Sequence, residues 1–159
     1  MKRIEILAPA GSPEQLVPAL RCGADAVYLG LKEMSARANA VNFTPEELEK
    51  AVFDCHVRGV KVYLTLNTLV KERETRAAME AVKLACEVGV DAVIVQDLGL
   101  AARIKKAAPA LPLHASTQMS ITSAEGVALA ARLGIRRVVL ARELSIEDVR
   151  CIREANAAA

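Results

Sequence analysis

The chain has 159 residues, 53% of them hydrophobic and 25% charged, which is enough for a single domain over residues 1–159 with an apolar core. Its 21 basic and 19 acidic side chains leave a net charge of +2, which gives no electrostatic argument for nucleic-acid binding, although a small active site could still act on RNA. No apolar run reaches the roughly 20 residues of a membrane span, and four scattered cysteines without a CxxC pair favour reduced, mostly buried thiols in a cytoplasmic protein.

Strands and helices are predicted to alternate along the chain. The predicted strands are Ile4–Ala8, Asp25–Leu31, Val60–Asn67, Ala92–Gln96, Leu113–Ser116 and Arg137–Ala141. Ser12 is expected to cap the first helix, and Thr44 and Glu47 are expected to form a capping box on the second. The later helices are predicted over 72–87, 98–107, 123–133 and the segment that follows Ser145.

A short phrase recurs four times and predicts how these elements connect. Each copy is a glycine followed by an apolar, largely β-branched run, and the copies begin at Gly23, Gly59, Gly89 and Gly134. Glycine suits the left-handed end of a helix because it has no Cβ, while Val, Ile and Tyr suit a strand that is buried on both faces. The pattern therefore predicts a parallel sheet wrapped in helices, with functional residues at the carboxyl ends of the strands.

Six βα units leave two architectures open. One is an open, doubly wound sheet of six strands; the other is a (β/α) TIM-like barrel that lacks the last two of its eight units. Ligand contacts in a doubly wound sheet gather at one switch point, whereas here nearly every strand ends in polar or special residues. This distribution favours a truncated TIM-barrel-like α/β fold, in which the strand ends converge on one axis.

The fifth strand carries the densest polar cluster. His114 and Ser116 are expected to point to one side of the sheet, and Ala115 and Thr117 to the other. A histidine at a strand end could be a general base, with Ser116 and Gln118 binding substrate; the alternative is a structural, hydrogen-bonded histidine.

The remaining candidates are substrate- or anion-binding residues. Gly11 and Ser12 open a helix and could hold an anion, or could simply form a capped turn. Arg37 lies in a long irregular loop and could clamp a carboxylate or phosphate, with Asn39 beside it. The other candidates, at the ends of the third, fourth and sixth strands, are Asn67, Gln96, Asp97, Arg142 and Glu143.

Other chemistries have weaker support. The two histidines are far apart and there is no HxxxH or CxxC motif, so no metal site is predicted. A Ser–His–Asp triad stays open as an alternative, although the chain has no GxSxG nucleophile elbow.

Several motifs together carry a family resemblance. They are Leu7–Glu14 (LAPAGSPE), Gly23–Gly30 (GADAVYLG), Ala36–Arg37, Asn42–Phe43, Val62–Asn67 (VYLTLN), His114–Gln118 (HASTQ) and Leu140–Leu144 (LAREL). In this order, and with similar gaps, they resemble the collagenase-like peptidases, family 32 of the class of unassigned catalytic type.

The resemblance implies an N-terminal TIM-like barrel and two kinds of activity. The family takes its name from collagen degradation, while other members are implicated in oxygen-independent hydroxylation of a tRNA wobble uridine, an rRNA cytidine or ubiquinone precursors. For those members, the resemblance implies dependence on prephenate and an iron–sulfur cluster that is held by cysteines.

The chain departs from the family pattern at its end. The cysteine-bearing signature would follow the helix after Leu144 and is absent, and none of the four cysteines matches a ligand position. We therefore expect no iron–sulfur cluster in this chain, and either an N-terminal fragment of a longer protein or a short member of the family.

Three functions follow as hypotheses. The first is a hydroxylation factor for RNA or a quinone precursor, in which Arg37 and Arg142 hold a small anionic molecule such as prephenate. The second is a collagenase-like peptidase. The third is an inactive barrel fragment that self-associates as a homo-oligomer through its unpaired edge strands.

Overall fold

The computed structural model describes residues 4–32 and 41–157, which form a βα repeat. The strands are β1 (Leu7–Pro9), β2 (Ala26–Gly30), β3 (Lys61–Leu66), β4 (Ala92–Val95), β5 (Leu113–Ala115) and β6 (Ile135–Val138). The helices are α1 (Pro13–Arg21), α2 (Pro45–His56), α3 (Thr75–Val88), α4 (Leu98–Ala107), α5 (Ala124–Arg132) and α6 (Ile146–Ala155). Short 3-10 turns precede α3 at Glu72–Glu74 and follow β5 at Thr117–Met119.

The sheet has the strand order of a barrel. All six strands run parallel, and each pairs with its neighbour in sequence, from β1 through to β6. A doubly wound sheet reverses its strand order at a switch point, and this sheet does not. The architecture is therefore a TIM-barrel-like α/β fold with six units, and the doubly wound alternative is excluded.

The recurring glycines do what the sequence predicts. All four have left-handed backbone, with φ between 69° and 81°. Gly89 shows why: it ends α3 with φ of 78°, and its N–H donates to the carbonyl of Ala85, so the chain can turn directly into β4. A side chain at this backbone conformation would be strained.

Alternation along the strands separates the sheet into two faces. One face packs against the helices and includes Val27, Leu64 and Val95, all fully buried. The other face carries Ala26, Tyr28, Tyr63, Ala92 and Ile94, which form a second, smaller cluster. This second, inner face corresponds to the interior of a barrel.

Two aspartates fix the relative level of neighbouring strands. The Asp91 carboxylate accepts a hydrogen bond from the N–H of Val62 at 2.8 Å, and the Asp91 N–H donates to the Val62 carbonyl at 2.9 Å. Asp25, at the same place in its own repeat, exchanges the same two hydrogen bonds with Ile6, both at 2.9 Å. In two of its four copies, those at Gly23 and Gly89, the phrase thus encodes both a strand and its register with the preceding strand.

Three sequence expectations need correction. Strand β6 begins two residues earlier than predicted, directly after Gly134, and β1 begins three residues later than predicted. Three of the four cysteines are exposed and only Cys55 is buried, because the others lie on outer surfaces of the helices.

The edges of the sheet are β1 and β6 within the described residues. Ile4 and Ile6, next to β1, are 86% and 56% exposed. Such an edge favours association, and the expected homo-oligomer stays a prediction. None of the helices in the described ranges has the length and apolar character needed to span a membrane.

Replacing Asp91 with alanine is expected to lower the free energy of unfolding by about 1–3 kcal/mol, because the Val62 N–H loses its partner. Urea unfolding followed by circular dichroism measures this. The control is Glu49→Ala, which changes an exposed acidic residue on α2. Equal unfolding midpoints for the two variants would contradict the register role of Asp91.

Candidate functional site

A cavity of about 550 Å³ opens at the carboxyl edge of the sheet. Its volume lies in the usual range for a small-molecule site. Six of the residues proposed from the sequence line it: Gly11, Asn67, Ser116, Gln118, Arg142 and Glu143. With Gly30, which also lines the cavity, the predicted polar or special ends of five of the six strands meet here, and the roles of these residues stay predictions.

Buried polar side chains lie in the wall of the cavity beside apolar ones such as Ile94 and Val139. Ser116 is 3% exposed, and its hydroxyl accepts a hydrogen bond from the Gln118 N–H at 3.2 Å. Thr65 is 6% exposed and donates to the Leu29 carbonyl at 3.0 Å. Asn42 is 2% exposed and lies where the β2–α2 connection returns to the sheet. These groups give the wall a fixed pattern of donors and acceptors.

Charge is confined to the rim. Arg142 and Glu143 are exposed neighbours in the β6–α6 loop, and they supply the charged side chains among the described lining residues. Because one is a cation and the other an anion, the described lining is neutral overall. Arg142 can bind a carboxylate or phosphate group bidentately from this position.

The β1–α1 turn offers less to an anion than its sequence suggests. The Gly11 N–H already donates to the Gln15 side chain at 2.9 Å, and the Gln15 N–H donates to the Ser12 hydroxyl at 3.4 Å. Gly11 lines the cavity, whereas Ser12 is buried as the cap of α1 and is not part of the lining. The geometry favours the capped-turn interpretation.

Gln96 and Asp97 lie at a neighbouring cavity of about 600 Å³. Asp97 caps α4, accepting from the Leu100 N–H at 2.8 Å, and it also accepts from the Val70 N–H at 3.3 Å. The carboxylate therefore holds two backbone segments. Gln118 borders both cavities and lies on the 3-10 turn that separates them.

Two candidates, Arg37 and Asn39, lie outside the described residues, and their proposed contacts stay predictions.

His114 lies beneath the cavity and does not line it. It points to the inner face with Ser116, as its place in the strand predicts, but it is 6% exposed and packs edge-on against Tyr63, with ring centroids 4.7 Å apart. Burial lowers the pKa of His114 to about 4, and the positive charge of Arg137 acts in the same direction. The imidazole is neutral at pH 7, and its placement favours the structural interpretation.

Below His114, a charged cluster closes the inner face. Glu5 accepts hydrogen bonds from Tyr63 at 2.9 Å and from Arg137, and its other oxygen lies 3.4 Å from the Lys61 ammonium. The Arg137 hydrogen bond lowers the pKa of Glu5 to about 2, while burial and the bond to Glu5 raise the pKa of Tyr63 to about 12. This cluster joins β6 to the segment before β1.

Sequence reasoning missed Tyr28, Asn42 and Thr65 as lining residues. Tyr28 and Thr65 share the inner-face alternation of β2 and β3, so extending the strand argument used for His114 would have found them. Strand alternation does not reach Asn42, although Asn42–Phe43 is one of the motifs that carry the family resemblance.

The described residues do not fit an iron–sulfur cluster. Residues 4–32 and 41–157 contain no group of three or more His, Cys, Asp or Glu side chains close enough to hold a metal. Such a cluster needs cysteine thiolates. Burial raises the pKa of the Cys55 thiol to about 11, which opposes its use as a thiolate ligand.

The sequence matches the model of peptidase family U32 over residues 11–159. Three relatives match nearly all of the chain. A protein described as an uncharacterized protease in Methanocaldococcus jannaschii is 40% identical over 97% of this chain, and a collagenase of Porphyromonas gingivalis is 38% identical over 94%. The 23S rRNA 5-hydroxycytidine C2501 synthase of Escherichia coli is 37% identical over 96%.

The chain spans a minor part of these relatives: 37%, 36% and 23% of their respective lengths. Among solved structures, the U32 peptidase Mk0906 superposes with a TM-score of 0.76 at 18% identity, covering 96% of this chain and 65% of that one. At this low sequence identity, the similarity to Mk0906 shows a shared fold.

Acidification is expected to destabilise the protein between pH 6.5 and 4.5 through His114. The unfolded histidine binds a proton near pH 6.5 and the folded one only near pH 4. The free energy of unfolding therefore decreases as the pH is lowered, by up to about 1.4 kcal/mol per pH unit. Urea unfolding at several pH values measures the slope. Below pH 4.5 the loss continues, because Glu5 must then be protonated against its lowered pKa.

His114→Gln is expected to remove most of the slope above pH 4.5, and the same substitution at the exposed His56 serves as the control. If His114→Gln kept the wild-type slope, the buried, neutral state of His114 would be wrong.

Proposed function

The chain belongs to peptidase family U32, and we propose that it is the substrate-binding part of an RNA hydroxylation protein. The observation that carries the proposal is the cavity at the carboxyl edge, whose buried polar wall and charged rim suit a small polar substrate. A relative 37% identical to this chain is named as an rRNA 5-hydroxycytidine synthase, and this supports the assignment.

The residues have distinct roles in this proposal. Ser116 and Asn67 are on the wall and hydrogen-bond the polar substrate, while Gln118 and Arg142 lie at its entrance. A small anionic donor such as prephenate, which the resemblance implies, would be held by the Arg142 guanidinium. The described residues do not fit an iron–sulfur cluster, so we assign no step of the reaction to one.

A peptidase is the second candidate, because two relatives are named protease and collagenase. Nucleophilic hydrolysis needs a hydroxyl or thiol within hydrogen-bond reach of a base. The described lining of the cavity contains neither histidine nor cysteine, and the nearby His114 packs against Tyr63. The geometry therefore favours binding over peptide hydrolysis.

Deleting the full gene from its source organism is expected to remove one hydroxylated nucleoside from tRNA or rRNA. A precursor lighter by one oxygen should replace it, and mass spectrometry of digested RNA measures both. Complementation with Arg142→Ala should restore less than about one tenth of the product, because the rim loses its cation.

The control for this complementation is Arg103→Ala, which removes an exposed cation on α4 and should restore the product fully. An unchanged nucleoside profile after deletion would refute the RNA hydroxylation proposal and direct attention to quinone precursors.

The purified chain is expected to leave gelatin intact, because its cavity brings no base to a nucleophile. Zymography and mass spectrometry of the digest measure cleavage. Cleavage by the wild type that is lost in both Ser116→Ala and His114→Ala would support the peptidase instead. A catalytically unrelated variant, Glu49→Ala, controls for contaminating proteases.

A further inference from the structure

Two residues other than glycine have left-handed backbone within the described ranges: Asn42, with φ of 53°, and Ser120, with φ of 54°. Both line the cavity at the carboxyl edge. An L-residue in this conformation costs about 1–2 kcal/mol, although asparagine tolerates it better than most residues. Backbone strain of this kind clusters at ligand clamps and active sites.

Asn42 is the more firmly held of the two. Its N–H donates to the Gly11 carbonyl at 2.9 Å, and the N–H of the next residue, Phe43, donates to the Gly30 carbonyl at 2.9 Å. Phe43 is 1% exposed and anchors the segment in the core. The backbone at Asn42 and Phe43 is thus fastened beside the ends of both β1 and β2.

Ser120 differs in its surroundings. It is exposed, and it lies at the end of the 3-10 turn that separates the two cavities. Ser120 therefore shares the backbone conformation of Asn42 and borders the same cavity, but its side chain is exposed whereas that of Asn42 is buried. Asn42 is therefore the buried member of this pair.

The lining has the chemistry of a surface that reads a nucleobase edge. Three carboxamides line the cavity, on Asn42, Asn67 and Gln118, and each carries a donor beside an acceptor. Paired donors and acceptors of this kind recognise the edges of bases, as asparagine and glutamine do with adenine. The described charges, on Arg142 and Glu143, offset one another, so the described lining carries no net charge.

Building on the proposed function, we propose that Asn42 is a specificity-determining residue of this cavity. Its carboxamide hydrogen-bonds the edge of a nucleobase that has left its stack and entered the cavity. An enzyme that modifies a base atom needs such an extruded or single-stranded base. The hydrogen bonds to the Gly11 and Gly30 carbonyls hold the left-handed backbone that carries this side chain.

Ligand-observed NMR of the purified chain tests binding directly, with cytidine, uridine and adenosine as probes and malate as a dicarboxylate competitor. We expect saturation transfer to base protons of at least one nucleoside with wild type and with Glu49→Ala, which changes an exposed residue outside the cavity lining, and at least a tenfold loss with Asn42→Gly. Asn42→Gly puts glycine at a left-handed position, so it introduces no backbone strain. Urea unfolding checks that both remain folded.

The proposal is overturned if the wild type shows no transfer to base protons, or if wild type and Asn42→Gly show equal transfer. It is also overturned if malate displaces the nucleosides completely from the wild type while Asn42→Gly binds them as well as the wild type does. Asn42→Asp sharpens the test, because it keeps the shape and replaces a donor with an acceptor. It should change the order of preference among the three nucleosides, and an unchanged order would count against base reading.

Complementation of the deleted gene separates this inference from the proposed function. If deletion removes a hydroxylated nucleoside and Asn42→Gly restores it fully, the role of Asn42 is wrong and RNA hydroxylation stands. If deletion changes no RNA nucleoside while NMR shows Asn42-dependent base binding, RNA hydroxylation is wrong and base recognition stands.

Discussion

The left-handed glycine turn that leads from a helix into β2, β3, β4 and β6 is the constraint on which the rest of this structure depends. Gly89 ends α3 and leads within three residues into β4, while Asp91 bonds both backbone groups of Val62 and so sets the level of β4 against β3. The same phrase before β2 repeats the arrangement. With level and direction fixed at the start of the strands, their carboxyl ends meet at one edge, and loops that are distant in sequence can build one cavity.

The period of the strand then divides the inner face into layers with different chemistry. His114 and Ser116 are two residues apart, so they face the same way but lie about 7 Å apart along β5. That distance puts the Ser116 hydroxyl in the wall of the cavity and the imidazole in the layer beneath, against Tyr63. Glu5 and Arg137 fill the layer below that one. A neutral histidine thus separates a polar cavity from a charged cluster.

Local signals in the sequence predict much of this fold, and contacts between distant segments explain the rest. The glycines, the caps at Thr44 and Ser145 and the polar strand ends all act within a few residues, so they can be read directly. Arg137 could not be placed, because its partner Glu5 is 132 residues away and β6 starts two residues early. Asn42 stood in a motif of the family resemblance, but its place in the cavity lining could not be predicted, since that depends on a backbone angle and on contacts with two separate strands.

The balance of charge bears on how such a chain could act on RNA. Affinity for a nucleic-acid backbone comes from cations that neutralise phosphates, and a net charge of +2 supplies few of them. The described lining offers Arg142 beside Glu143, so the cavity itself attracts phosphate weakly. In the proposed function, base recognition therefore rests on hydrogen bonds with buried polar groups, where an unpaired donor or acceptor is costly. In the role proposed for Asn42, its carboxamide distinguishes one base edge from another by offering a donor beside an acceptor, which a surface cation cannot do.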